Sequence, residues 1–217
     1  MSNWQATIGI VAGCVYLLGF VPYLIALRQG KTRPNRATWW IWAIVGLILV
    51  VSYRSSGASN TIWVPVSATV CHITIAIASL RYGEGGWNRF DRTCLLGAGI
   101  SLFFWWQLKS SLIALSINIA IDFLGALPTI RKSYHEPETE DLLSWMLFLA
   151  ASTLNLFAIE NWSFELFAYP FYLFCVPTTV VAFLLRSRMR LQLTSRKRRW
   201  RKVGKRKRSH FLSKKRL

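Results

Sequence analysis

The sequence predicts an all-α integral membrane protein with seven transmembrane helices, arranged 3+1+3 as two parallel three-helix repeats joined by an inverting linker helix. The 217-residue chain is 53% apolar and only 17% charged, whereas soluble domains carry about a quarter charged residues. Seven apolar stretches are separated by polar residues, and residues near the first recur near the fifth at a constant spacing. This composition excludes a soluble globular enzyme and a disordered chain.

Each predicted span is an apolar run bounded by polar residues. A helix needs roughly 17–25 mostly apolar residues to cross the hydrocarbon layer, because an exposed backbone finds no hydrogen-bonding partner in lipid. The fourth run is short but rich in Phe and Trp. The predicted spans are 6–27, 37–53, 61–80, 93–108, 112–130, 142–159 and 162–185.

The basic residues predict on which side of the membrane each loop lies. Lys and Arg of short loops favour the cytoplasmic side. With seven spans and an external N-terminus, nine basic residues fall in inner loops and only Arg54 and Lys109 in outer ones. The C-terminal tail adds sixteen inside, and without it the net charge falls from +18 to +2. We therefore expect a multi-pass protein of the plasma (inner) membrane with a cytoplasmic C-terminus.

An internal repeat relates the first three spans to the last three. Three pairs of residues share one spacing of 106 positions, and the inner-loop charges place both copies in the same orientation. Span four then serves to invert the chain between parallel units, a known transporter plan. The pairs are Gly19 and Gly125, Pro22 and Pro128, and Trp39 and Trp145. The predicted segments are a first repeat 1–80, a linker 81–111, a second repeat 112–185 and a basic tail 186–217.

This layout, with a proline at the cytoplasmic end of the first helix of each unit, resembles the SWEET/PQ-loop superfamily of seven-helix membrane proteins, as a divergent member. The resemblance covers about residues 6–185 and implies a facilitator that moves a small polar solute by alternating access. The glutamine after the motif proline is replaced by Tyr23 and Thr129, and the asparagine pair of the sugar carriers by His72 and Thr178. The resemblance therefore does not imply a sugar as the substrate.

Five polar residues inside the predicted spans are candidates for a substrate-binding pocket at the midplane. Ionisable groups in hydrocarbon are costly and usually face a cavity or a partner. The repeat places the phenol of Tyr16 and the carboxyl group of Asp122 at equivalent heights in the membrane. Because a carboxyl group at this depth can gain or lose a proton, the transport could be coupled to protons or could be passive. The alternative is that these side chains only hydrogen-bond neighbouring helices. The candidates are Tyr16, His72, Asn118, Asp122 and Asn155.

The matched prolines are candidates for hinges, and the oppositely charged inner loops are candidates for a cytoplasmic gate. Pro22 and Pro128 each remove a backbone hydrogen bond and can kink a span, so we assign them as hinges; static kinks are the alternative. The first inner loop is basic and its counterpart is acidic. Arg33 and Glu140 are therefore candidates for a cytoplasmic gate, with a solvated surface as the alternative.

The basic tail is typical of a segment that is disordered in water and attracted to anionic lipid headgroups. Its tethering to a membrane makes nucleic acid a secondary partner, and homo-oligomerisation stays open. The sequence contains no phosphate loop, nucleophile elbow or metal-binding motif, so we expect neither enzymatic activity nor a cofactor or metal. The alternative to a transporter is a non-transporting receptor or scaffold on the same fold.

Overall fold

The structure, a computed structural model, describes residues 4–85, 88–107 and 111–214, and this part of the chain is all-helical. The seven α-helices coincide within a few residues with the apolar runs, except that the last continues into the basic tail. Short 3-10 turns precede the third and sixth helices. The helices are α1 Trp4–Arg28, α2 Arg36–Ser55, α3 Trp63–Tyr82, α4 Arg89–Gln107, α5 Ser111–His135, α6 Leu142–Phe157 and α7 Phe164–Lys214.

Among the residues that the structure describes, four helical segments are long and apolar enough to cross a membrane, which indicates a membrane protein. They are α1, α2, the segment Asn60–Tyr82 that contains α3, and Phe164–Met189 of α7. The helix α6 is also apolar but has 16 residues. Large apolar side chains such as Val51 and Leu80 remain more than 60% exposed on the outside of the bundle, as expected of a surface that faces lipid.

The helices pack as two groups with the same internal order. In the first group α3 contacts both α1 and α2, and in the second group α7 contacts both α5 and α6. Between the groups, α1 packs on α6 and α2 packs on α5, while α4 packs mainly against α5. The interface between the groups therefore consists of two helix pairs, each formed by the first helix of one group and the second helix of the other.

The helices α2 and α6 begin with the same capping interaction. The Asn35 side chain accepts a hydrogen bond from the Thr38 N–H at 3.2 Å, and the Asp141 side chain accepts one from the Ser144 N–H at 2.8 Å. Such caps satisfy amides that have no partner in the first helical turn. Both the caps and the amides they satisfy are 106 positions apart, the spacing of the sequence repeat.

The basic tail is helical as far as Lys214, which differs from the disorder that its composition predicts. Lys, Arg and Leu are good helix formers, and the tail contains no proline to end the helix. Because α7 already exists, extending it requires no new helix nucleus. Disorder of the tail in water stays a prediction from its composition.

Candidate functional site

A small cavity lies at the centre of the bundle, where the two helix groups meet. Its volume is about 30 Å³, enough for one or two water molecules. Of the twelve described lining residues, six are Phe, Tyr or Trp and one carries a carboxyl group. The lining residues are Tyr16, Trp39, Trp42, His72, Asp122, Trp145, Phe148, Ser152, Tyr172, Leu173, Val176 and Pro177.

The wall contributed by α1, α2 and α3 combines aromatic rings with two polar groups. The Tyr16 hydroxyl lies 3.5 Å from His72 Nε2. The His72 ring stacks on Trp42 with centroids 5.0 Å apart, and the Tyr16 ring stacks on Phe148 at 4.6 Å. All four side chains are buried, so these polar atoms are shielded from bulk water in this conformation.

The carboxyl group of Asp122 faces this wall from α5 and is buried. The Tyr172 hydroxyl donates a hydrogen bond to Asp122 Oδ2 at 2.6 Å, and Trp42 Nε1 donates one to the Asp122 backbone carbonyl at 3.0 Å. None of the described lining residues is Lys or Arg. The carboxyl group is thus held by hydrogen bonds, with no basic side chain beside it in the cavity wall.

The structure brings three of the five predicted substrate-binding residues together. Tyr16, His72 and Asp122 line the cavity, but Asn118 and Asn155 do not. Both asparagines are fully buried, and the side-chain nitrogen and oxygen atoms of both lack hydrogen-bonding partners. A role in packing would require interhelical hydrogen bonds, which these two amides do not make here.

The two amides lie just beyond the cavity on the helices that line it. Asn118 is one helical turn from Asp122 on α5, and Asn155 is three residues from Ser152 on α6, so each shares a helix face with a lining residue. The first residues of α5 and the last residues of α6 lie at the same end of the bundle. Both amides are therefore displaced from the cavity towards that end. We call this end of the bundle, which also carries Asn60, the A end.

Four of the aromatic lining residues show the spacing of the predicted repeat, although none of these four was predicted as a site residue. Trp39 corresponds to Trp145 and Trp42 to Phe148 at the spacing of 106 residues. All four line the cavity, and each of the two pairs within a helix makes an edge-to-face contact. The repeat spacing was therefore a signal that could have identified them. Tyr172 carries no such signal, because its repeat position is occupied by a residue of a different type.

The two repeat glycines lie at equivalent crossings between the helix groups. A Cβ atom at Gly19 would lie 2.9 Å from the Phe148 ring and 3.0 Å from Leu147 Cβ. A Cβ atom at Gly125 would lie 2.6 Å from Ile41 Cγ2 and 3.2 Å from the Trp42 ring. The contacted residues are again 106 positions apart. Only glycine permits this close approach at both crossings, and each crossing adjoins the cavity wall.

The opposite end of the bundle, which we call the B end, is closed by a network around Lys132. The Lys132 ammonium lies 3.1 Å from a carboxylate oxygen of Glu140 and 3.1 Å from one of Glu84, and it also donates to the Arg33 carbonyl. Trp145 Nε1 donates to the second oxygen of Glu140 at 2.9 Å. The Glu140 side chain is fully buried, so each of its oxygens is satisfied within the protein.

The predicted gate residues both belong to this network but do not pair directly. The Arg33 side chain pairs with Glu84 at 3.7 Å, and the Arg33 N–H donates to the Thr139 carbonyl at 3.1 Å. Glu140 pairs instead with Lys132. The partner of Glu140 was missed because the gate hypothesis paired opposite charges between the two inner loops, whereas Lys132 lies only eight residues before Glu140 in the chain.

The A end is also closed by contacts between the two helix groups. The Asn60 side chain donates to Glu160, and Ser59 Oγ donates to the same carboxylate at 3.5 Å. The Tyr53 hydroxyl donates to the Leu166 carbonyl at 2.8 Å. These contacts connect the α2–α3 segment with the α6–α7 segment, so the central cavity is closed towards both ends.

The predicted hinge prolines lie inside helices, between the glycine crossings and the B end. Pro22 is three residues beyond Gly19 in α1, and Pro128 is three residues beyond Gly125 in α5. Each proline lacks the N–H that would bond to the preceding turn. Both helices therefore lack a backbone hydrogen bond at a proline three residues beyond the glycine crossing.

In comparisons with known proteins, no family model, curated protein or solved structure matches this chain.

Proposed function

We propose that this chain is a seven-helix membrane transporter similar to the SWEET/PQ-loop type, which moves a small polar solute by alternating access. In this proposal α1–α3 and α5–α7 are parallel units, and α4 is the linker that inverts the chain between them. The N-terminus and the A end face outside, while the B end and the basic tail face the cytoplasm. Under this topology the tail contacts anionic lipid headgroups.

The observation that carries the proposal is the symmetric pair of glycine crossings around one cavity. Gly19 of α1 packs on α6, the second helix of the other group, and Gly125 of α5 packs on α2, the second helix of the first group. Parallel repeats that meet around a central site are a recognised transporter plan, in which one unit moves against the other. The matched helix caps and the matched packing order support the same arrangement.

The closures at the two ends support an occluded state of such a cycle. The B end is held by ion pairs and the A end by hydrogen bonds, with the cavity between them. Alternating access requires that each closure open while the other holds. In the proposed cycle the Lys132 network opens towards the cytoplasm and the Asn60–Glu160 contact opens towards the outside.

Uptake by proteoliposomes tests the proposal. Purified protein is reconstituted, and the influx of radiolabelled sugars, amino acids, amines and nucleoside-like vitamins is measured. We expect saturable influx of at least one solute and a changed rate in the Asp122→Asn variant. Binding of a solute without any flux would overturn the transport proposal.

A polar pocket at the B end favours the second candidate, a receptor or scaffold on the same fold. This pocket has a volume of about 690 Å³, and its lining residues include Asn35 before α2, Arg89 of α4, Arg131 of α5 and Glu136 directly after α5. It is much larger than the central cavity and lies at the bundle surface. The uptake experiment distinguishes the candidates, because a receptor binds its ligand at this surface without moving it across the membrane.

A further inference from the structure

We infer that the solute accepted by the central cavity, once the bundle opens beyond the water-sized space of the present conformation, is a monovalent organic cation, such as a primary or quaternary ammonium compound. The inference rests on the proposed function and names the substrate class of the same site. It follows from the charge of the lining, from the nature of its walls and from the hydrogen bonds that its polar groups already make.

The charge of the lining favours a cation. Asp122 is the one carboxyl group among the described lining residues, and none of them is Lys or Arg. Lys132, which lies on the same helix towards the B end, is held by Glu84 and Glu140. A carboxylate inside a membrane protein is costly unless a positive charge lies beside it. A cationic solute would supply that charge from within the cavity.

The walls of the cavity also suit a cation. Six of the twelve lining residues carry six-membered aromatic rings, and the faces of such rings attract positive charge. Two of the aromatic pairs are related by the sequence repeat and stand edge to face, at 5.3 Å and 5.7 Å between ring centroids. The aromatic lining residues are Tyr16, Trp39, Trp42, Trp145, Phe148 and Tyr172.

The remaining polar groups are poorly suited to a neutral, hydroxyl-rich solute. Trp42 Nε1 is bonded to the Asp122 carbonyl, Trp145 Nε1 to Glu140, and Ser152 Oγ to the Phe148 carbonyl. A polyol needs several free donors and acceptors in its site, since each unmatched hydroxyl group loses its bonds to water. The described lining thus combines one carboxyl group and many ring faces with two unpartnered ring nitrogens, Trp39 Nε1 and His72 Nδ1, which are fewer than the several free groups that a polyol needs.

A pair of ligands with the same shape tests the inference. Choline and its neutral carbon isostere, 3,3-dimethylbutan-1-ol (dimethylbutanol below), differ in charge but hardly in size. Binding of each to the purified, full-length protein is measured by thermal shift and by isothermal titration calorimetry. We expect choline to raise the unfolding temperature and to bind at least about tenfold more tightly than dimethylbutanol, a ratio equivalent to about 1.4 kcal/mol.

Matched variants locate the binding. Asp122→Asn should abolish the preference for choline, whereas Glu138→Gln, which removes an exposed carboxylate far from the cavity lining, should leave it unchanged. Trp42→Phe retains an aromatic face and should keep most of the affinity, while Trp42→Leu should weaken choline binding several-fold. Each variant is first shown to elute from size-exclusion chromatography as the wild type does.

Two outcomes would overturn the inference. One is equal binding of choline and dimethylbutanol, or no binding of either; the other is an unchanged choline preference in Asp122→Asn. Both leave the transport proposal standing if proteoliposomes still take up a neutral solute saturably. Conversely, selective choline binding without flux would support the cation site and contradict transport.

Discussion

Lys132 is the residue on which closure of the B end depends most directly. Its ammonium group is shared by two carboxylates, and it is 8% exposed. Removing one partner of a buried ion pair leaves the other charge unpaired in a poorly solvated place, which typically destabilises a protein by about 3–5 kcal/mol. The buried cation therefore matters more to stability than the basic residues of the adjoining loop.

We predict that Lys132→Met lowers the free energy of unfolding by about 3–5 kcal/mol, because it strands the Glu140 carboxylate. Adding Glu140→Gln should restore part of that loss by removing the stranded charge. Arg33→Ala is the comparison, since the Arg33 side chain is 60% exposed and its ion pair contributes about 0–1 kcal/mol. Thermal and denaturant unfolding in detergent measure the differences. Equal effects of the Lys132 and Arg33 variants would contradict the assigned network.

Replacing either of the two buried asparagines should stabilise the protein, in contrast to replacing Lys132. Neither Asn118 nor Asn155 has a side-chain partner, and a buried unsatisfied polar group costs about 1–3 kcal/mol. Asn118→Leu and Asn155→Leu, which keep the branched shape, should therefore raise the unfolding temperature. They should also slow uptake, because the amides lie on the cavity-lining faces towards the A end. A lowered unfolding temperature in both variants would indicate that the amides hold neighbouring helices together.

At the scale of the helices, the glycine crossings set how closely the two groups approach. In an unhindered helix, Gly→Ala stabilises by up to about 1 kcal/mol. We predict instead that Gly125→Ala destabilises the protein by about 1–3 kcal/mol, because the new Cβ atom would lie 2.6 Å from Ile41 Cγ2.

The additional substitution Ile41→Ala removes the clashing methyl group and serves as the test of this crossing. The double variant should be more stable than the sum of the two single effects predicts, and a double-mutant cycle measures that difference. Strictly additive effects would show that the α2–α5 crossing is not as close as described.

The prolines of α1 and α5 belong to the same scale. If Pro22 and Pro128 act as hinges, replacing each by Ala restores a backbone hydrogen bond and stiffens its helix. We predict that Pro22→Ala and Pro128→Ala slow uptake more than they reduce the yield of folded protein. Uptake rate and the monodisperse fraction after purification are measured on the same preparations. A reduced yield with an unchanged rate per folded molecule would favour static kinks.

For the whole molecule, the positions of the helices could be predicted from the sequence because polar residues bound each apolar run, except that α7 continues past its run into the basic tail. The spacing of 106 residues also pointed to the residues that meet at the centre, such as Gly19 and Gly125. The partner of Glu140 could not be predicted, because Lys132 reaches it only through the packing of α5 against the loop before α6. The position of Asn118 outside the cavity lining could not be predicted either. Helical periodicity indicates on which face of a helix a side chain lies, but not how far a cavity extends along that face.

The central claim is that the two ends of the bundle open in turn around one cavity, and a reversible lock tests it most directly. In a background with the four native cysteines replaced, Asn60→Cys and Glu160→Cys place two thiols across the A end, where the native side chains form a hydrogen bond, and loss of both free thiols on oxidation shows that a disulfide joins them. Uptake into proteoliposomes is measured for the solute identified in the flux screen, before oxidation, after oxidation and after reduction. The account predicts that oxidation stops saturable uptake and that reduction restores it. Undiminished uptake by fully cross-linked protein would contradict the account.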